Sequence, residues 1–311
     1  GGKDSTRQAL WARDALGLKP LLVCVTYAPE QLTDLGMVNL ENLNALGFEI
    51  VTLGAGADTW RLAMREGFLR YGNWAKSTEL ALYSGAPRVA IAERIPVILW
   101  GENLALQWGD MNALGSTGYD GNQVRFLNTL AGGELTWLLE AEIPRHKLLP
   151  YSYPSPEEYE GNGLQTFFLG WALGDWSEIN NGIRAGLSGL EFREEPAELV
   201  GDPFGTASLD EDFVVVNQMI KYYKFGFGRM TEYVNEMVRN GQLSRRHGIQ
   251  LISKYDGLCD DEIIGRFCEF IGISQSHFWE VVLSFTNRNL FRLCKDRRPE
   301  PRFRVGEGLV E

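Results

Sequence analysis

Three short, largely apolar runs, each of strand length and each separated from the next by an amphipathic helix, constrain the fold of this chain more than any other feature. They are Pro20–Thr26, Phe48–Leu53 and Pro96–Trp100. Before the first lies a helical pattern from Ser5 to Leu16, ended by Gly17. Before the second, Met37, Leu40, Leu43 and Leu46 recur at three-residue steps and stop at Gly47, and helices over Asp58–Tyr71 and Thr78–Arg94 lead to the third. Strands that are apolar along their length are covered on both faces, so the pattern predicts an α/β fold, a parallel sheet with helices on both faces. In such sheets ligands bind beyond the carboxyl ends of the strands, which directs attention to the segments after Thr26, Leu53 and Trp100.

The texture changes near residue 151. Residues 151–212 are rich in Gly, Pro, Trp and acidic side chains and read as an irregular insertion with one helix at Ser177–Ala185, while residues 212–286 read as helices punctuated by glycines, with Ser244 and Ser274 as N-caps. A length of 311 residues accommodates two ordinary domains, here 1–150 and 151–311. No apolar run approaches the roughly 18 residues of a membrane span.

Charge narrows the partners. Residues 221–304 hold 15 Lys and Arg against 10 Asp and Glu, +5 locally; the whole chain carries −11, so the rest carries −16. An acidic body disfavours a broad nucleic-acid footprint. The basic segment 292–304 reads as a solvated terminus or as a contact for a phosphate or partner. Cys24, Cys259, Cys268 and Cys294 show no CxxC spacing and read as core or helix-face thiols. Without a signal peptide in this stretch, the expectation is a reduced, cytoplasmic chain. The histidines, His146, His247 and His277, form no Ser-His-Asp or Cys-His pattern, the last two falling three residues after the expected caps.

The first six residues, GGKDST, run straight into the first helix. Two glycines permit tight turning and close approach of the backbone. The N–H groups that follow, the Ser5 and Thr6 hydroxyls and the helix N-terminus all favour an anion. Neither GxxxxGK[ST] nor GxGxxG is present, which excludes a Walker A loop and a Rossmann fingerprint.

GGKDST resembles the SGGxDS pyrophosphate loop (PP-loop) of adenine nucleotide alpha hydrolase-like ATP pyrophosphatases, the leading serine missing because the chain starts one residue late. Four later segments narrow the resemblance: 99-LWGENLALQWG-109, 118-GYDGNQVRFLN-128, 221-KYYKFGFGRMTEYV-234 and 238-VRNGQLSRRHGIQLISKYDG-257. With the loop, and in order from Gly1 to about Asn287, they are similar to the N-acetyl sugar amidotransferases of surface-polysaccharide (lipopolysaccharide, O-antigen) biosynthesis. That resemblance implies an adenine nucleotide alpha hydrolase-like fold, an ATP and Mg2+ requirement, and conversion of an acetamido group on a sugar or sugar nucleotide to an acetamidino group. It further implies a structural Zn2+ on cysteines upstream of Gly1, and ammonia from separate glutaminase and cyclase-like subunits.

Carried onto this chain, the resemblance assigns pyrophosphate binding to Gly1, Gly2, Ser5 and Thr6, with Lys3 adding positive charge. Asp4 is either a magnesium ligand or an internal cap. Thr26 and Tyr27 lie along the nucleotide or simply end a strand. Glu102 ligates magnesium or orients ammonia, and Asn103 bonds a phosphate or the acetamido group, or caps a helix. Asp120 is an Asx-turn residue or faces substrate and ammonia. Lys221, Lys224 and Arg229 form a cationic group for a sugar diphosphate or carboxylate, or a solvated helix face. Two other readings remain: a PP-loop nitrogen or sulfur transferase acting on tRNA, and an inactive nucleotide-binding subunit.

Overall fold

In the computed structural model, residues 1–101, 122–126, 129–172, 174, 176–293 and 298–310 are described. Strand β1 (Leu22–Val25) pairs in parallel with β2 (Ile50–Leu53), Leu22 opposite Ile50, the crossover carrying helix α2 (Asp34–Ala45). A second parallel pair joins β3 (Val97–Trp100) to β4 (Gln165–Phe168), Val97 opposite Gln165.

Alternation along the first pair decides which helix covers which face. Leu22 and Ile50 pack with Ala9 and Leu10 of α1 (Lys3–Asp14) and with Leu43, Leu46 and Phe48. The residues of opposite parity, Val23, Val25 and Leu53, face Gly85 in α4 (Ala75–Glu93), where an added β-carbon would lie 3.4 to 3.9 Å from all three. Helices therefore cover both faces of β1–β2, as side chains of period two require.

Two elements differ from the sequence expectation. Helix α1 begins at Lys3 rather than Ser5: Gly2 is its extended N-cap (φ −87°, ψ 173°), and the Thr6 amide closes the first turn onto the Gly2 carbonyl at 3.0 Å. Lys3 and Asp4 are thus helical, not loop, residues. Strand β4 lies inside the stretch read as irregular. Its four residues, Gln-Thr-Phe-Phe, are too few to show a period, and parallel pairing with β3 supplies what local pattern does not.

The expected boundary near residue 150 falls between the paired strands β3 and β4, and the main core also crosses it. Trp60, Met64 and Phe68 of α3 (Ala57–Tyr71), with Trp74, share one buried cluster with Phe213 and with Val216 and Met219 of the helix Val214–Phe225. Phe267 and Phe278 complete it, and Phe68 stacks on Phe278 with ring centroids 5.2 Å apart. Burying aromatic side chains of this size contributes about 1.5–3 kcal/mol each.

The remaining long helices are α5 (Glu178–Gly186), α6 (Val214–Phe225), α7 (Arg229–Arg239), α8 (Arg245–Tyr255), α9 (Asp261–Ile271) and α10 (Gln275–Phe285). The expected caps are present: the His247 amide donates to Ser244 Oγ and the His277 amide to Ser274 Oγ, at 3.3 and 3.1 Å. Cys259 and Cys268 are buried and Cys24 is half-buried, burial pushing the Cys259 thiol up to about 12 and the Cys268 thiol to about 11. Among the described residues no helix is long and apolar enough to cross a membrane.

Candidate functional site

The anion site expected from the sequence falls at the N-terminus of α1. The amides of Lys3, Asp4 and Ser5 have no partner within the helix, and among the described residues no side chain caps them, the N-cap Gly2 having none to offer. Gly2 faces open space, with no atom within 4 Å of where a β-carbon would stand, and its φ is −87°. Gly2 therefore serves close approach from outside rather than a tight turn. Among the described residues Thr6 Oγ1 is completely buried and has no hydrogen-bond partner. A macrodipole end, free amides, open ground and an unused hydroxyl suit an anion such as a phosphate.

Strand β3 delivers its carboxyl end to this turn. A β-carbon on Gly101 would lie 2.6 Å from Ser5 Cα and 2.7 Å from Ser5 N, so only glycine lets the strand end meet the helix. Glu102 and Asn103, which follow Gly101 in the chain, lie outside the described residues, as does Asp120. Ser5 is exposed and donates its hydroxyl to the Gly2 carbonyl at 3.1 Å; Gly1 rests on Leu43 and Asn39 of α2. Thr26 ends β1, its amide and hydroxyl both donating to the Leu53 carbonyl, and Tyr27 meets Trp60 edge-on.

Behind the first turn is a buried polar cluster built by α1, α5 and α7. Lys3, 6% exposed, places Nζ 2.8 Å from Asp4 Oδ2, 2.5 Å from Glu178 Oε2 and 5.8 Å from the Tyr233 ring centroid. Asn181 Nδ2 donates to Asp4 Oδ1 at 2.7 Å, so both oxygens of that carboxylate are engaged. Lys3 is therefore turned inward into the protein, away from the role of an added surface charge for pyrophosphate.

Burial opposes the charge of Lys3, but Asp4, Tyr233 and Glu178 reverse it and hold its pKa well above the ordinary value. Burial raises the Glu178 carboxyl, with Asp4 and Glu236 adding to the rise and Lys3 opposing it. Glu236 is raised too, chiefly by burial.

The three cations expected to act together are distributed. Arg229 joins the cluster, donating to Ser208 Oγ at 2.6 Å beside Tyr233, and borders a small pocket shared with Gln218, Met230, Tyr255 and Asp256. Lys221 pairs with Glu232 at 2.5 Å under the Phe227 ring. Lys224 donates to the Tyr71 carbonyl at 2.8 Å, closing the C-terminus of α3. These side chains do not share one binding face because each is held by a different partner, Glu232, the Tyr71 carbonyl and Ser208.

Sequence reasoning missed Glu178, Asn181, Tyr233, Glu236 and Gly101. Glu178 and Asn181 stand three apart on a helix that the sequence does show, the spacing of one face. Their partners are about 175 positions away, and nothing local indicates them.

For a magnesium ion, among the described residues no group of three His, Cys, Asp or Glu side chains is arranged to hold it. Asp4 retains lone pairs for one, and such an ion would take most of its ligands from phosphate oxygens and water.

Residues 204–299 match the family model for the C-terminal domain of LPS biosynthesis protein WbpG-like proteins. No curated protein matches the chain. The matched segment contains α6 to α10, and so supplies Arg229, Tyr233 and Glu236 to the cluster behind α1.

Proposed function

We propose that this chain is an ATP-dependent amidotransferase of lipopolysaccharide biosynthesis, acting on the N-acetyl group of a sugar or sugar nucleotide. The observation that carries the reading is the uncapped, glycine-led N-terminus of α1, with the buried Thr6 hydroxyl unused, set against the carboxyl end of β3. The parallel pairs and the helices on both faces of β1–β2 support a PP-loop, adenine nucleotide alpha hydrolase-like fold. The resemblance of residues 204–299 to a domain of LPS biosynthesis proteins supports the pathway.

An amide oxygen is a poor leaving group, so ammonia does not displace it unaided. ATP supplies adenylation of that oxygen, after which ammonia replaces it and AMP departs, pyrophosphate having left in the first step. The chain's own residues bind and orient. The amides of Lys3, Asp4 and Ser5 hold phosphate oxygens, their dipoles fixed before the ligand arrives, and the Thr6 hydroxyl donates to the same group. The Gly101 contact sets the distance between that phosphate and whatever β3 presents beyond its end. Glu102, with Asp4, is the proposed magnesium contact; Asn103 and Asp120 are proposed to face the acetamido group and ammonia. Thr26 and Tyr27 are proposed to flank the nucleotide. A separate glutaminase with a cyclase-like subunit is the proposed ammonia source.

Incubation with ATP, ammonium, Mg2+ and N-acetylated sugar nucleotides, followed by mass spectrometry, tests this. The expected result is a product in which NH replaces one oxygen, formed together with AMP. Absence of both AMP and product over a panel of N-acetyl sugars, free and nucleotide-linked, overturns the reading.

A further inference from the structure

An acidic side chain in the first turn of a helix is a natural partner for that turn's free amides, and an N-terminal Asp or Glu commonly accepts from them. Asp4 is the second residue of α1 and the acid of its first turn, and its N-cap, Gly2, has no side chain to offer. Both carboxylate oxygens are drawn the other way, Oδ1 to Asn181 Nδ2 at 2.7 Å and Oδ2 to Lys3 Nζ at 2.8 Å. Asn181 is fully buried on α5, and its own Oδ1 has no partner among the described residues. It is a fixed donor, committed to one acceptor. Lys3 is held in turn by Glu178, one α-helical turn before Asn181 on the same helix.

We infer that Asn181, with Lys3 and Glu178, is a positioning residue that keeps the Asp4 carboxylate off the N-terminus of α1 and so leaves its amides open to an external phosphate anion. This rests on the reading of that N-terminus as an anion site. Without the restraint, Asp4 becomes an internal competitor: a negative charge tethered a few bonds from the amides, and so at a high local concentration. The elements packed on α1 are thereby given a task in ligand binding without touching the ligand. Glu236 of α7, within the segment that resembles the LPS-biosynthesis domain, stands beside Glu178.

The test is a double-mutant cycle on the full chain, read by calorimetric titration with inorganic pyrophosphate in the absence of divalent metal. Asn181→Ala is expected to weaken pyrophosphate binding about tenfold, because Asp4 is released onto the amides. Asp4→Ala is expected to bind at least as tightly as the parent, since a competing charge is gone. The double variant is expected to match Asp4→Ala within about twofold. A merely structural role for Asn181 gives an equal loss in both backgrounds, which overturns the inference, as does unchanged affinity in Asn181→Ala. Asn181→Leu, close in volume and lacking the donor, serves the same cycle if the alanine variant does not fold. Failure of the parent chain to bind pyrophosphate removes the anion reading itself, and this inference with it.

Discussion

Gly101 and Ser5 meet so closely that a β-carbon at position 101 would lie 2.6 Å from Ser5 Cα, well inside contact distance. The obstacle is backbone, not a flexible side-chain end, so neither partner yields without moving β3 or the first turn of α1. Gly101→Ala is expected to cost about 1–3 kcal/mol by urea denaturation, the range for overpacking. Pyrophosphate affinity is expected to fall by a larger factor than stability alone explains, because the displaced atoms belong to the proposed anion site. Equal affinity in parent and variant would show that the contact does not shape the site.

Thr6 gives the opposite sign for stability and function. Its hydroxyl is buried without a partner among the described residues, and an unpaired buried polar group costs about 1–3 kcal/mol. Thr6→Val keeps the shape and removes the hydroxyl. The ligand-free protein is expected to gain stability in thermal unfolding while pyrophosphate binding weakens several-fold. A variant less stable than the parent would mean that the hydroxyl already has a partner.

What the sequence showed and what it hid follow one physical division. Elements whose evidence is local were legible: the apolar runs that became β1, β2 and β3, the glycine stops, and the caps Ser244 and Ser274, each needing only neighbours within a few positions. The Gly1–Thr6 motif could be read as the start of a helix, with its dipole and its amides without a helical partner, because these are properties of one short segment. Its start was misplaced by two residues because an extended Gly2 caps without a side chain. The inward turn of Lys3 was not legible, since it depends on Glu178 and Tyr233 arriving from distant helices. The separation of Lys221, Lys224 and Arg229 was hidden for the same reason: sequence proximity reported one turn, whereas Glu232, the α3 carbonyls and Ser208 each claimed one cation.

Arg193 anchors the turn that precedes α6. Its guanidinium, 3% exposed, donates to the carbonyls of Ser208 at 2.7 Å and Glu211 at 2.9 Å and pairs with Asp212 at 2.9 Å. Ser208 is held there at φ +52°, a conformation that a non-glycine residue adopts only when its surroundings impose it. Arg193→Met strands these acceptors and is expected to destabilise the chain by about 3–5 kcal/mol in chemical denaturation. Arg193→Lys is expected to recover little, because one ammonium does not reproduce a planar fork. Full rescue by lysine would show that charge alone holds the turn.

Glu211 makes the stability of this chain depend on pH in a direction opposite to that of an ordinary salt-bridged acid. Burial pushes its carboxyl up to about 8; Asp210 adds to the rise, while hydrogen bonds from Gln31 and the Val214 amide oppose it. The Gln31 link continues inward, Trp60 Nε1 donating to Gln31 Oε1 at 2.8 Å, so the group joins α3 to the start of α6. The unfolded chain releases this proton near the ordinary glutamate value of about 4.3, whereas the folded chain keeps it to about 8. Between those values the native state binds more protons, so stability is fully present below the lower one and declines as pH rises through the upper one. The expected decline is at most about 1.4 kcal/mol per pH unit. Glu211→Gln removes this proton equilibrium and is expected to flatten the melting temperature across the interval and to exceed the parent in stability above about pH 8. A residual slope of the same sign is expected from Glu178, whose carboxyl is raised by the same burial. Parent and variant melting curves that decline in parallel would assign the whole dependence to other groups.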